Sequence, residues 1–400
     1  MSRHTEFWFS DGSIVLVAGN ISFRVHKSLL ARHSIVFRDM FSFPQPTEVS
    51  SNASPTAGDL LKCPNTISDF DSEALEGCPA LHLHDTSDDV TSLLYALYDG
   101  PKFGNNDKDD FRVVSGVLRL SNKYMIESLR EKALTHLSQA WPSTLKGWDT
   151  REEILDYNVH QESRYYPNPV EVINLAREVN APCLLPSAFY DLSRYPLSEI
   201  FDCIQDESVA YDEVNSRVRL SLSDTQKLAV GKEASSAAVL HLIQSLTTEG
   251  RSSSSHSATP TRGLAARHGQ GSVIGRGHRR SDSNTGSYGR CVAPAACWRD
   301  ACELVELATQ HYLLERARGA EDPLYVVEEL ALLKGDSDSS SCVSGSRRYF
   351  NSGTGTGVGL DEDLDDDKTC RPCARAFGAW AMKERERLWR TIPSWFRLDV

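Results

Sequence analysis

Residues 23–46 have the sequence FRVHKSLLARHSIVFRDMFSFPQP, and the hydrophobic pattern changes its period within this stretch. Upstream, residues 14–17 are all apolar, which is typical of a strand buried on both faces. Residues 18–20, Ala-Gly-Asn, predict a turn because Gly and Asn tolerate a positive φ. Residues 21–25 then alternate apolar and polar side chains, with Ser22 on the polar face, as in a half-buried strand. The sequence therefore predicts a β-hairpin.

Two short helices are predicted directly after the hairpin. Residues 27–32 are good helix formers. Ser34 can cap a second helix, SIVFRDMF, by accepting a hydrogen bond from its first turn. Pro44 would end this helix, since proline cannot continue the hydrogen-bonding pattern. Spacings of three and four residues place on one helix face the side chains of Phe37, Met40 and Phe41.

The chain returns to regular periodicity after residues 44–80, which are rich in Pro, Ser, Asn and Asp and predict a long loop insert. Leu and His alternate at residues 81–84, which predicts a third strand. Thr86 or Ser87 can cap the next helix, whose first turn carries two aspartates that complement the helix dipole. Residues 111–137 keep a helical period over two further helices.

The order of these elements resembles that of a BTB/POZ domain. Many spaced positions agree with the pattern of that family, and the agreement covers about residues 4–140. Its structural signature consists of Asp11, Phe23, His26, Leu30, Ser34 and Tyr98. The resemblance implies an α+β fold, with a small sheet flanked by helices, in which His26 is a packed structural histidine. The whole layout is similar to that of a group of fungal BTB proteins.

Protein association is the function that this resemblance implies. BTB domains are usually homodimers or adaptors that use the first strand and the first helices as the contact surface. The candidate partner-binding residues are therefore Phe7, Trp8, Phe9, Phe37, Met40 and Phe41. Three consecutive aromatic side chains ahead of the first predicted strand would be costly to leave in water. Packing on their own domain is the alternative for these three.

Two narrower functions stay open. One is a substrate adaptor of a cullin-type ubiquitin ligase, although the apolar-x-Glu element that such BTB domains carry after the Met-Phe pair is missing and only Glu48 is present. The other is a nuclear regulator of transcription, because residues 276–280, RGHRR, form a weak basic import signal. The chain has no C2H2 spacing, which argues against a zinc-finger transcription factor.

Composition divides the rest of the chain into helical and linker segments. Apolar periodicity predicts an all-helical C-terminal region, with Asn168 and Ser223 as helix caps. The helical segments are 141–248, 291–334 and 370–400. The predicted disordered linkers are 249–290, which is rich in Ser, Gly and Arg, and the acidic 335–369.

Cysteine spacing near the C-terminus indicates a candidate metal site. Cys370 and Cys373 form a C-x-x-C pair, which provides half of a tetrahedral zinc site. The nearest second pair is Cys297 and Cys302. Folding the two pairs together would pin the C-terminal segment to the preceding helix, and thiols that bind no metal are the alternative.

Composition and motifs exclude several classes of function. The net charge of −12 provides no basic field for nucleic acid or for an anionic membrane. Catalytic signatures such as G-x-S-x-G and H-E-x-x-H are absent, so we expect no enzyme. From the residues given we expect no leader, no lipid anchor and no membrane-spanning helix. Uneven cysteine usage favours a reducing intracellular compartment, cytoplasmic or nuclear.

Overall fold

The N-terminal residues form a mixed four-stranded sheet. The computed structural model describes residues 1–42, 77–157, 166–202, 219–252, 291–315, 319–334 and 370–398. The strands are β1 (Ser2–Trp8), β2 (Ile14–Ala18), β3 (Ile21–Val25) and β4 (Ala80–Leu83). The hairpin β2–β3 is antiparallel, as the sequence predicts, and Gly19 in its turn has a φ of 56°. β1 runs parallel to β3 and β4 runs parallel to β2, so the order is β1-β3-β2-β4.

The first strand corrects the sequence-based interpretation, which placed Phe7, Trp8 and Phe9 ahead of the first strand. Phe7 is the one buried residue of β1, so the strand has no apolar alternation that a sequence pattern could detect. Pairing with β3 stabilises it instead, together with a hydrogen bond of 2.8 Å from Ser2 N to Asn20 O. The neighbouring strand, and not its own side chains, therefore determines β1.

The half-buried pattern predicted for β3 is wrong at one position. The alternation places Ser22 on a solvent face, whereas the residue is 1% exposed. Its hydroxyl donates to the carbonyl oxygen of Ser2 in β1 at 3.2 Å. A hydroxyl with such a partner can be buried without an unsatisfied polar group, and β1 provides that partner.

Five helices follow in the same region: α1 (Lys27–His33), α2 (Ile35–Ser42), α3 (Ser87–Tyr98), α4 (Lys108–Lys123) and α5 (Glu127–Ala140). Two predicted caps are confirmed. Ser34 Oγ accepts a hydrogen bond from Phe37 N at 3.0 Å, and Thr86, not Ser87, caps α3 by accepting from Asp89 N at 3.2 Å. Sheet and helices share one apolar core, which includes Ile14, Leu16, Phe23, Leu30, Phe37, Leu94, Val117 and Ile126.

Helices also make up most of the remaining described chain. They are α6 (Leu145–Tyr157), α7 (Pro169–Glu178), α8 (Leu185–Ser193), α9 (Leu197–Asp202), α10 (Leu222–Ser252), α11 (Pro294–Ala308), α12 (Pro323–Lys334) and α13 (Arg371–Trp395). A π-helical turn at Thr309–Leu314 continues α11. Asn168 caps α7 as predicted, because its side chain accepts from Val170 N at 3.0 Å. None of the described helices is both long and apolar enough to cross a bilayer.

The boundaries of α10 differ from the sequence-based expectation. The helix begins at Leu222, so Ser223 lies in its first turn and not at the cap. It continues to Ser252, so the first residues of the predicted linker 249–290 are helical. The rest of that linker, the linker 335–369 and most of the insert 44–80, with Pro44, lie outside the described residues.

Contacts within the chain divide it into two compact units. The first unit comprises Met1–Asp191 and Asp202–Ser221, and the second comprises Leu192–Phe201 and Leu222–Asp399. In the second unit, α10 packs against α11, α12 and α13, and α12 packs against α13. The long helix α10 is thus the common neighbour of the three helices that follow it.

A buried arginine stabilises the later part of the first unit. The Arg151 guanidinium lies 4.7–4.9 Å from the ring centroids of Trp141, Trp148 and Tyr166. It also donates to Asp191 Oδ2 at 2.8 Å, and its side chain is 2% exposed. A carboxylate and three aromatic faces therefore compensate the buried charge and connect α6 to α8.

Candidate functional site

Two other residues of the predicted signature, Asp11 and Tyr98, contact His26. Its Nδ1 lies 2.9 Å from the Tyr98 hydroxyl, and its backbone N–H donates to the same hydroxyl at 3.1 Å. Its Nε2 lies 3.3 Å from Asp11 Oδ2, and the hydrogen bond between these side chains lowers the pKa of the Asp11 carboxyl. His26 thus connects the end of β3 to the end of α3.

The surroundings of His26 have the geometry of a structural connection. Burial raises the pKa of Tyr98, which keeps its hydroxyl protonated and able to donate. The ring of Phe9 stacks on that of Tyr98 with 5.0 Å between centroids. Ser34, another residue of the predicted signature, also binds the backbone, because its hydroxyl donates to the buried carbonyl of Tyr124 at 2.7 Å. These side chains hold main-chain segments together.

The predicted partner-binding residues divide into two groups by burial. Phe7 and Phe37 are 4% and 1% exposed and belong to the core of the first unit. These two side chains therefore pack on their own domain, and almost none of their surface is left for a partner. Partner contact stays a prediction for the half-buried group. That group consists of Trp8, Phe9, Met40 and Phe41.

Four cysteines from two distant stretches come together in the second unit. The sulfur atoms of Cys291, Cys297, Cys370 and Cys373 all lie within 4.8 Å of one another. The Sγ of Cys291 is 3.6 Å from that of Cys297 and 3.9 Å from that of Cys370. Cys370 is buried and the other three are partly buried. We refer to these residues as the four-cysteine cluster.

The starts of two helices position the four thiols. Cys370 is the N-cap residue of α13, and Cys373 follows in the first turn with Pro372 between them. Proline suits a first turn because the missing N–H would have no partner within the helix. Cys297 lies in the N-terminal turn of α11, and Cys291 lies just ahead of that helix.

The structure corrects one ligand of the predicted metal site. Cys302 does not join the cluster and is an exposed thiol on α11. Residues on an α-helix are about 100° apart around the axis, so Cys297 and Cys302 are separated by about 140° and point to different sides. Cys291 takes the position expected for Cys302. Helical spacing could not indicate this, because Cys291 precedes the helix.

The cluster changes the ionisation of its own thiols. Burial raises the pKa of Cys297 to about 11, and it also raises the pKa of Cys373. Burial acts in the same direction on Cys370, but hydrogen bonds from the backbone of Val292 and Cys373 lower the pKa of this thiol to about 7. Backbone N–H groups directed at a sulfur atom stabilise a thiolate, which is the form that binds a metal.

The arrangement suits a tetrahedral metal ion. Metal–sulfur bonds of about 2.3 Å in a regular tetrahedron separate the sulfur atoms by about 3.8 Å. The separations of 3.6 and 3.9 Å in the cluster are close to this value. The positive end of α13 adds an electrostatic term that favours thiolates at Cys370 and Cys373. The four-cysteine cluster could therefore bind a metal.

Comparison with known proteins does not assign a family to the chain. No protein-family model, curated protein or solved structure matches it. The function therefore has to be inferred from the residues and from their geometry.

Proposed function

We propose that this chain is a protein-interaction protein whose first unit is a BTB/POZ-type domain that forms a homodimer. The proposed function is non-catalytic. Support comes from the element order of hairpin, α1, α2, β4 and α3–α5, which is the order that the sequence resemblance implies. Residues that carry the resemblance also share contacts, since Asp11, His26 and Tyr98 form one hydrogen-bonded connection.

The observation that carries this proposal is an apolar surface on α1 and α2. Ile35, at the start of α2, is 43% exposed. Neighbouring apolar side chains on the two helices pack against the core and remain partly exposed. They are Leu29, Val36, Met40 and Phe41. Apolar atoms gathered in this way on adjacent turns favour association, because a partner removes them from water.

A second copy of this chain is the occupant that we propose for the surface. The resemblance implies homodimers that meet through the first helices. A two-fold interface presents the same patch from both copies, so an apolar surface can cover itself. Exposed side chains of both charge signs lie on the same two helices, at Arg32, Arg38 and Asp39. Opposite charges can therefore meet at the rim, while the apolar centre provides most of the affinity.

Sedimentation velocity of the purified full-length chain tests the homodimer. We expect a dimer at micromolar concentration for the wild type and a monomer for Ile35→Lys, because a lysine charge would have to be desolvated in an apolar interface. Val113→Lys is the matched control, since Val113 is an exposed apolar residue on α4 of the same unit, at 40% against 43% for Ile35. A monomeric wild type, or dissociation by both substitutions, would contradict the proposal.

The same assay distinguishes the narrower functions. A cullin adaptor would form a larger complex when the chain is mixed with a purified cullin, and a self-associating scaffold would not. The adaptor interpretation depends on Glu48 and the nuclear interpretation on residues 276–280, and both lie outside the described residues. Neither residue set therefore supports the interaction proposal, which rests on the element order and on the surface of α1 and α2.

We also propose that Zn²⁺ is the metal of the four-cysteine cluster. Four thiolates at tetrahedral spacing are the ligand set of structural zinc sites, and they leave no coordination position open for catalysis. Support comes from the sulfur separations, which fit a single ion. Elemental analysis of the full-length chain should find one zinc per chain. Visible absorption by the purified protein would instead indicate iron and contradict the proposal.

A further inference from the structure

The stretch that carries Cys291 and Cys297 has little apolar packing. The first buried side chain of α11 is Leu304, and every residue in 291–303 is exposed or half-buried. An element of this kind gains little free energy from apolar burial against its neighbours. Something other than a core must therefore hold these residues in place.

The beginning of α13 is in the same situation. Before residue 388 its buried side chains are two alanines, whereas its end buries Leu388, Ile392 and Phe396 to 1% exposure or less. Gly378 faces open space, with no atom within 4 Å of the position that a Cβ would take. Phe377 and Trp380 are only half-buried. Apolar packing is therefore strongest at the end of α13, and its beginning depends more on other interactions.

We infer that Zn²⁺ folds this end of the second unit: one ion at the four-cysteine cluster joins residues 291–303 to the start of α13 and orders both. The inference rests on the zinc proposal above. Each stretch contributes two of the four ligands, so neither pair can complete a tetrahedral shell without the other. Binding of the ion is therefore coupled to the docking of the two stretches.

The position of the cluster predicts where the ion matters. Cys297 and Cys370 are far apart in the sequence, so the ion closes a long loop of chain and restricts the conformations of its undocked form. Metal binding replaces apolar burial in regions that lack a core. The end of α13 has its own buried residues, such as Leu388, and does not need the ion. Metal removal should affect the two cysteine-bearing ends and little else.

Hydrogen–deuterium exchange of the full-length chain tests the inference, with Zn²⁺ bound and after its removal by a chelator. We expect peptides from 291–303 and 370–381 to exchange about tenfold faster without the metal. Peptides from 385–398 and from the hairpin at 14–25 should change by less than about twofold. Unchanged exchange near the cysteines, or a uniform increase along the chain, would overturn the inference.

Cys373→Ser and Cys302→Ser form a matched pair of variants. Cys373 belongs to the cluster, whereas Cys302 is an exposed thiol of α11 outside it. We expect Cys373→Ser to lose the bound zinc and to exchange like the metal-free protein. Cys302→Ser should keep both the zinc and the protection of residues 291–303. Equal behaviour of the two variants would contradict the assignment of the ligands.

The results of these experiments also distinguish a failure of this inference from a failure of the zinc proposal or of the homodimer proposal. Zinc bound at one ion per chain with unchanged exchange overturns the inference alone. A wild-type chain without zinc, or with a mass that shows a disulfide between Cys291 and Cys297, overturns the zinc proposal as well. Sedimentation of Cys373→Ser reports on the homodimer independently, because the proposed interface lies on the first unit.

Discussion

Gly231 of α10 lies directly against the ring of Phe396, at the end of α13, and leaves no room there for a larger side chain. A Cβ added at Gly231 would lie 1.9 Å from Cε1 and 2.0 Å from Cδ1 of Phe396. Carbon atoms in ordinary contact are about 3.5 Å apart or more, so the ring would have to move by roughly 1.6 Å. Phe396 is 0% exposed, and a close-packed interior has little room for that movement. Gly231 therefore permits the anchoring of the end of α13.

We predict that Gly231→Ala destabilises the docking of α13 by about 2 kcal/mol. Expelling the Phe396 ring from its site costs about 3 kcal/mol, and replacing glycine by alanine within a helix recovers about 1 kcal/mol. The difference corresponds to an increase of about 30-fold in local opening. Hydrogen exchange of residues 385–398 is the appropriate measurement, because a chain with two units has no single unfolding free energy.

Gly378→Ala is the matched control for this prediction. Gly378 lies within α13 and faces open space, so the substitution adds helix propensity without a steric clash. We expect its exchange in α13 to slow by about fivefold, corresponding to about 1 kcal/mol. If Gly231→Ala exchanged as slowly as the wild type at residues 385–398, the packing of Phe396 against α10 would be wrong.

Two further substitutions, each with a control, test the first unit by hydrogen exchange of its own peptides. Arg151→Ala removes the buried cation beside Asp191 and opens a space between three aromatic rings. We expect the first unit to lose about 3–5 kcal/mol of stability. Its control, Arg112→Ala, removes an exposed ion pair and should cost less than about 1 kcal/mol. Ser34→Ala removes a buried hydroxyl that caps α2, so we expect a loss of about 2 kcal/mol. The exposed Ser42→Ala should have almost no effect. Equal exchange rates in the first unit within either pair would refute the corresponding contacts.

Much of the first unit could be predicted from local patterns. The hairpin follows from an apolar run, a Gly-Asn turn and an alternating strand, and the caps at Ser34 and Asn168 follow from side chains that bond to backbone a few residues away. Such interactions join residues that are close in the sequence, so the order of the residues is enough to specify them.

Contacts between distant residues could not be predicted in this way. β1 has no apolar alternation and depends on the edge of β3, and Ser22 is buried because Ser2 lies beside it. Long-range pairing depends on which strand edges and faces meet, and a local hydrophobic pattern does not specify either of them.

The four-cysteine cluster shows the same division. The C-x-x-C spacing of Cys370 and Cys373 correctly predicted two members of the four-cysteine cluster, because both thiols belong to one helix start. Spacing also favoured Cys302 as a ligand, and it was wrong there, because that thiol turns away from Cys297 around the axis of α11. Only the tertiary structure brings Cys291 to the fourth position. A sequence specifies directly what neighbouring residues can do together, and the packing of helices decides which distant thiols come close enough to share a ligand.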